Sequence, residues 1–337
     1  MTTHDALGRP LRDLRISVTD RCNFRCTYCM PKALFGSDHA FLPRANVLSF
    51  EEITRLVAVF ADLGVEKIRL TGGEPLVRRG LENLVAQLAR VPGIADISLT
   101  TNGSLLSRDM AQRLVDAGLR RITISLDALD DATFQAINDV KFPVAKVLSA
   151  IDNAAAAGLA PIKVNMVVKR GMNAHAIEDM ARHFRGTGHI LRFIEYMDVG
   201  NANGWRLDDV VSAAEIAQRV GALWPIEPVA SNYRGEVAQR WRYQDGAGEI
   251  GIIASVTQPF CGDCSRARLS AEGVLYTCLF SGSGVDLRGL LRQGCEDAQL
   301  HTRVASVWLG RRDRYSELRS QNTQGLRRKV EMSHIGG

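Results

Sequence analysis

Short apolar runs rich in β-branched residues alternate with longer amphipathic stretches along the first 200 residues of the chain. The runs Leu14–Thr19, Lys67–Thr71, Asp96–Thr101, Arg121–Leu126, Ile162–Val168 and Leu191–Tyr196 have the length and residue types of strands. Between them, Glu51–Leu63, Leu81–Arg90, Asp109–Ala117, Ala145–Ala157 and Ala174–Phe184 carry apolar residues at helical spacing. Ser49 with Glu52 offers the reciprocal cap that starts a helix, and Gly64, Gly118 and Gly158 stand where helices stop. Strand and helix alternating six times predict an α/β fold with a parallel sheet covered by helices. Periodicity leaves two arrangements open, a doubly wound sheet and an incomplete barrel.

After Gly200 the rhythm breaks. Trp205, Trp224, Trp241, Pro225, Pro228 and Pro259 punctuate shorter segments, which predicts a first region over residues 1–200 and a distinct C-terminal one over 201–337. The stretch Leu309–Lys329 is rich in arginine. A net charge of +5 without a polybasic block fits an acidic small-molecule substrate and gives no reason to expect nucleic acid. Met1–Arg15 lacks the apolar core of a signal peptide, and no run approaches the roughly 18 apolar residues of a membrane span. A cytoplasmic protein with no membrane partner is therefore expected.

The cysteines change the picture most. Seven is an odd number for a disulfide framework, and six of them form two tight groups, Cys22/Cys26/Cys29 and Cys261/Cys264/Cys278. The first follows directly on a strand, in the loop where a βα protein places its chemistry. Three thiolates hold three irons of a four-iron cube and leave the fourth open to a small molecule. A zinc site needs a fourth ligand close by, and the nearest histidine is His39, across a loop. In the second group the zinc alternative is stronger, because CxxC pairs commonly hold zinc. Yet Cys295 lies seventeen residues beyond Cys278, too far for ribbon spacing, and has no assigned role. Gly262 and Gly273 mark turns, so this segment reads as a hairpin with its cysteines near one end. Arg266 and Arg268, two apart, share one face of an extended strand, and two adjacent guanidiniums invite an anion.

The segment Cys22-Asn-Phe-Arg-Cys-Thr-Tyr-Cys29, followed one strand later by Thr71-Gly-Gly-Glu-Pro75, resembles the radical S-adenosylmethionine superfamily. The glycines of that second element are read as letting backbone approach a ligand, with carbonyls free for the methionine ammonium. The whole chain resembles the GTP 3′,8-cyclase family, which opens molybdenum-cofactor biosynthesis. The likeness rests on Arg15-Ile-Ser-Val-Thr-Asp-Arg-Cys22, Thr100-Thr-Asn-Gly103, Ser125-Leu-Asp127, Lys163-Val-Asn165, Phe193-Ile-Glu-Tyr-Met-Asp-Val-Gly200, Cys261-Gly-Asp-Cys-Ser-Arg-Ala-Arg-Leu269 and Gly336-Gly337.

The resemblance implies an incomplete parallel (β/α)6 barrel closed by a C-terminal cluster region, with two [4Fe-4S] clusters on the two cysteine triads. It implies S-adenosylmethionine contacts at Tyr28, Gly73, Ser125 and Met197. It implies GTP contacts at Arg15, Arg69, Thr100, Lys163 and the strip Arg266, Ala267 and Arg268. Arg266, Arg268, Gly336 and Gly337 are the residues it places closest to catalysis. In the implied reaction a 5′-deoxyadenosyl radical takes hydrogen from C3′ of GTP and the ribose radical closes on C8. An external low-potential electron donor, a downstream cyclic pyranopterin monophosphate synthase and a homodimer complete the implied partners. The residues agree: Arg15, Arg69 and Lys163 interrupt apolar strands, and an inward charge is costly without a partner. That partner is a triphosphate, or else a neighbouring acid such as Glu66 or Asp96. Two other classes compete, a peptide-modifying radical maturase and a two-cluster electron carrier.

Overall fold

A computed structural model describes residues 2–319 and 329–336. Six strands form the first part of the sheet: β1 (Asp13–Ser17), β2 (Lys67–Thr71), β3 (Asp96–Thr101), β4 (Arg121–Ser125), β5 (Lys163–Val168) and β6 (Ile190–Glu195). Helices α1 (Phe50–Asp62), α2 (Leu81–Leu88), α3 (Arg108–Asp116), α4 (Asp131–Asn138), α5 (Val144–Ala156) and α6 (Ile177–Phe184) connect them. Helix α1 begins with both halves of the Ser49/Glu52 capping box in place. Gly64, Gly118 and Gly158 follow α1, α3 and α5 with positive φ, as helix stops require. Helix α4 was not foreseen; it is short, and Asp130 caps it by accepting from the Thr133 amide at 2.7 Å.

The region after Gly200 does not stand apart from this sheet. It contributes α7 (Ala213–Leu223), then β7 (Ile226–Val229), β8 (Gln239–Tyr243) and β9 (Glu249–Ile253). It continues with β10 (Arg266–Leu269), β11 (Val274–Tyr276) and β12 (Val285–Asp286). Four helices end the described chain: α8 (Arg288–Arg292), α9 (Asp297–Leu309), α10 (Tyr315–Leu318) and α11 (Met332–Ile335). The strand order is β12-β11-β10-β1-β2-β3-β4-β5-β6-β9-β8-β7. Strand β10 pairs in parallel with β1, and β9 in parallel with β6, so the late region extends the parallel array at both edges. Among the described residues no helix is long and apolar enough to cross a membrane.

Each parallel strand has two different faces. Leu14, Ile16, Ile68, Leu70, Ile97, Leu99, Ile122, Ile124, Val164, Met166, Leu191 and Phe193 are fully buried in one continuous core with the helices. The alternate positions are polar: Asp13 and Arg15, Lys67 and Arg69, Ser98 and Thr100, Arg121 and Thr123, Lys163 and Asn165, then Arg192. Parallel sheets covered on both faces have nearly continuous apolar strands. Here the second face lines a cavity, so the strands alternate.

The β10–β11 hairpin sets the second cysteine group. Its strands run antiparallel with Arg268 opposite Tyr276, so Cys264, just before β10, and Cys278, just after β11, lie at the same end. The turn uses Gly273 at φ +82°, where an added Cβ would stand 2.9 Å from both Arg288 Cβ and Leu48 Cδ2. Gly273→Ala should therefore lower the unfolding free energy by about 1–3 kcal/mol, the cost of a strained left-handed residue. Chemical denaturation measures it, and unchanged stability would show that the turn relaxes.

Candidate active site

The first triad sits on a loop buttressed by the turn after β2. The Gly73 amide donates to the Thr19 carbonyl at 2.9 Å, and the Glu74 amide to the Arg21 carbonyl at 2.8 Å. An added Cβ on Gly72 would lie 2.5 Å from the Thr19 oxygen, and one on Gly73 would strike the Arg21 carbonyl. Close approach of these two loops, more than approach of a ligand, is what requires glycine here. The Gly72 and Gly73 carbonyls accept no hydrogen bond from a described residue. Glu74 is buried, and burial pushes its carboxyl up to about 7. It accepts from the Thr101 hydroxyl and the Asn102 amide, both at 2.7 Å, which ties the loop after β3 to the same turn. Arg25 donates to the Cys22 carbonyl at 2.7 Å. The Tyr28 hydroxyl donates to Asp127 Oδ2 at 2.7 Å, and Asp127 Oδ1 accepts from the Val167 amide at 2.8 Å.

The second triad lies at the opposite end of the strands. Cys22, Cys26 and Cys29 follow the C-terminal end of β1, whereas Cys264 precedes the N-terminal end of its parallel neighbour β10. The strand between them advances about 3.3 Å per residue, which sets the triads on the order of 15 Å apart along the sheet. Burial pushes the Cys22 thiol up to about 12 and raises Cys26 and Cys29 as well. Burial likewise lifts Cys278 to about 11. Cys264 goes the other way: burial is outweighed by the Arg266 and Arg311 charges, which bring it down to about 6.

The donor sets fit iron–sulfur groups. All seven cysteines are free thiols. Within the first triad, the cysteines lie close enough to raise one another's pKa. Yet among the described residues no three His, Cys, Asp or Glu side chains converge as a single metal ion requires. Three thiols without a fourth Cys or His are one ligand short of a closed zinc site.

Between the triads runs a row of cations. Register places Arg268, Arg15 and Arg69 side by side on β10, β1 and β2, with Asp13 between Arg266 and Lys67 one row below. Arg69 donates to the Thr100 hydroxyl at 2.9 Å and the Thr123 hydroxyl at 3.2 Å. Neither candidate acid pairs with these cations, since Glu66 takes Arg12 and Asp96 takes Arg121. Burial, then the Arg268, Arg266 and Arg69 charges, holds Arg15 well below the ordinary range. Burial, then Arg192, Arg121 and Arg69, brings Lys163 down to about 7. Arg192, which sequence reading missed, lies partly buried beside them, and desolvation brings it down to about 10. Its polar place in an alternating strand was the available signal.

One cavity of about 330 Å³ gathers these groups. All six triad cysteines, Tyr28, Gly73, Ser125, Met197, Arg15, Arg69, Thr100, Lys163, Arg266 and Arg268 line it. Ala267 does not; its methyl is fully buried in the core on the helix side. Cys295 lies away from the cavity, packed against the core after α8.

The chain end reaches the same place. Arg268 Nη1 donates to the Gly336 carbonyl, and Gly336, at φ +73°, lies so close to Thr71 that a Cβ would collide with its methyl. Gly337 lies outside the described residues, as does much of the arginine-rich stretch. Buried Asp198 anchors this segment, meeting Lys329 Nζ at 2.7 Å, the Tyr315 hydroxyl at 2.6 Å and Arg319 at 2.9 Å.

Residues 16–184 match the Radical SAM superfamily, and residues 189–317 match Molybdenum Cofactor Synthesis C. A GTP 3′,8-cyclase of Acidothermus cellulolyticus is 55% identical, covering 99% of this chain and 98% of its own. Proteins of the same name from Staphylococcus saprophyticus and Xanthomonas axonopodis pv. citri are 49% and 50% identical over the same shares. Among solved structures, Streptococcus suis SuiB bound to S-adenosylmethionine resembles 64% of this chain and 47% of that one. Its TM-score is 0.51 at 16% identity, a likeness of fold.

Lys163 provides a test of the cation row. Held down to about 7 in the free protein, it is largely neutral at pH 8, and a polyanion beside it restores its proton. Binding tripolyphosphate at pH 8 should take up more protons in the wild type than in Lys163→Met, and wild-type affinity should fall more steeply above pH 7. Calorimetry in buffers of different ionisation enthalpy reads the difference; equal proton uptake would remove Lys163 from the anion site.

Proposed function

The chain belongs to the GTP 3′,8-cyclase family of radical S-adenosylmethionine enzymes, and on that premise we infer how its cavity performs that reaction. The activity is that of a lyase converting GTP to (8S)-3′,8-cyclo-7,8-dihydroguanosine 5′-triphosphate, the first step of molybdenum-cofactor biosynthesis. A single observation carries the reading: two cysteine triads open on one cavity, and the cations between them pair with no carboxylate among the described residues. The full-length relatives favour it over a peptide maturase.

The architecture is read as an incomplete (β/α)6 barrel from residues 1–200, closed by residues 201–337, which lend β9 and β10 to its edges. Each triad is assigned a [4Fe-4S] cluster with one iron free of protein ligands. When bound, the reduced first cluster supplies the electron that cleaves S-adenosylmethionine to a hydrogen-abstracting radical. Tyr28, Gly73, Ser125 and Met197 hold the S-adenosylmethionine, with Asp127 fixing Tyr28. Arg15, Arg69, Lys163 and Thr100 bind the GTP triphosphate, and Arg266 and Arg268 orient the substrate near the second triad. Ala267 contributes backbone only. A cluster held by Cys261, Cys264 and Cys278 would supply an open iron for the guanine base, with Arg266 and Arg268 turning the ribose toward the first triad. Holding C3′ and C8 in register is the main catalytic work of these side chains, and the buried walls keep water from a reactive intermediate. Gly336 and Gly337 complete the site from the chain end. An external low-potential donor supplies electrons, a cyclic pyranopterin monophosphate synthase takes the product, and the protein works as a cytoplasmic homodimer.

Anaerobic incubation with S-adenosylmethionine, reductant and GTP should give 5′-deoxyadenosine and the cyclised triphosphate. The reconstituted protein should hold about eight irons, and Cys264→Ala about four. That variant should lose cyclised product while S-adenosylmethionine binding at the first triad survives. Arg266→Ala or Arg268→Ala should weaken GTP binding by about 1.5–3 kcal/mol, the worth of a charge-assisted hydrogen bond. Full iron in Cys264→Ala, or zinc in the second triad of the anaerobically purified wild type, would overturn the assignment.

A further inference from the structure

The segment before β1 builds a clamp on the second triad that the reaction described above does not use. Asp5 and Arg9 form a buried pair, Nε to Oδ2 at 2.6 Å, with side chains 0% and 1% exposed. Arg9 Nη1 donates to the Cys261 carbonyl at 2.8 Å and the Asp313 carbonyl at 2.7 Å. Arg311, 1% exposed at its side chain, shares Asp5 Oδ2 at 3.2 Å. Arg311 Nη1 also donates to the Cys264 carbonyl at 2.6 Å, while Arg311 Nη2 donates to Cys264 Sγ at 3.2 Å. Arg266 Nη2 donates to the same sulfur at 3.4 Å. Trp308 backs the clamp: its ring lies 4.5 Å from the Arg311 guanidinium carbon, and its Nε1 donates to the Arg9 carbonyl.

Two arginines share the buried Asp5 carboxylate, and Arg311 Nε also reaches the part-exposed Asp313 Oδ2 at 3.5 Å, while Nη2 keeps a buried positive charge aimed at one sulfur. Such a charge is costly unless an anion answers it. Among the described residues no guanidinium donates to the sulfur of Cys261 or Cys278, so the arrangement singles out Cys264. Hydrogen bonds and positive charge at a ligand sulfur favour the reduced form of an iron–sulfur group and hold its ligand in place.

We propose that Arg311, held by Asp5 and Arg9, is a positioning residue for the second cluster: it fixes Cys264 as a ligand and raises that cluster's reduction potential. The inference rests on reading the second triad as a cluster site. Its test uses full-length chain carrying Cys22→Ser, Cys26→Ser and Cys29→Ser, so that only the second triad holds iron. Arg311→Lys and Arg311→Met are then compared with this parent by iron content and by redox titration followed with electron paramagnetic resonance. The expected result is full iron in Arg311→Lys with a midpoint potential more negative than the parent's. Full iron with an unmoved potential in Arg311→Lys would overturn the proposal, whatever Arg311→Met does. Should both variants lose this iron, the same substitutions are made with the first triad intact. Retained first-triad iron and S-adenosylmethionine binding there support the clamp, and loss of both clusters assigns Arg311 to the fold and defeats the proposal. A parent that binds no iron would instead defeat the cluster reading of the second triad.

Discussion

The parallel pairing of β10 with β1 carries the most weight in this structure. It places Arg268 beside Arg15, which already lies beside Arg69, and Arg266 beside Asp13. Neighbouring strands are about 4.8 Å apart, and two like charges at 4 Å cost about 4 kcal/mol at the effective dielectric of a protein surface. Asp13 relieves the lower row, but among the described residues the upper row has no carboxylate partner. The sheet can hold three adjacent guanidiniums only where something anionic is to come. The same pairing sets the second triad at the opposite end of the strands from the first, so the cations lie along the path between them.

Around that row the remaining contacts act as braces. Glu74 ties the turn after β2 to the loop after β3, and the missing side chains of Gly72 and Gly73 let that turn press on the cysteine loop. On the far side, the Asp5, Arg9 and Arg311 network does the equivalent for Cys261 and Cys264. Asp198, next to Met197, gathers Lys329, Arg319 and Tyr315 and so brings the chain end to Arg268. Each brace buries a charged group and gives it hydrogen-bond partners.

Much of this was legible in the sequence because it is local. Lys67–Thr71 and Asp96–Thr101 have the expected bounds, and the capping box and helix-stopping glycines belong to single turns. Both triads and the hairpin glycine are likewise visible as spacing. What was hidden depends on pairing between distant segments. Nothing in the run Glu249–Ile253 or Arg266–Leu269 says that it will join the edge of a sheet begun near residue 13. For that reason a boundary at residue 200 reads more sharply in sequence than in the sheet. Arg192 was missed because its strand looks apolar as a whole, and its phase matters only once a cavity is known to lie on that face. The same alternation that turns Arg266 and Arg268 inward turns the Ala267 methyl to the core.

The central claim is that the cation row exists to hold a polyphosphate between the two triads. The most direct measurement is the equilibrium affinity of the anaerobically reconstituted enzyme for GTP, GDP and GMP at one ionic strength. If Arg15, Arg69 and Lys163 hold the phosphates, each lost phosphate removes charge-assisted hydrogen bonds worth about 1.5–3 kcal/mol, and GMP should bind at least about 100-fold more weakly than GTP. Equal affinity for the three nucleotides would contradict the account.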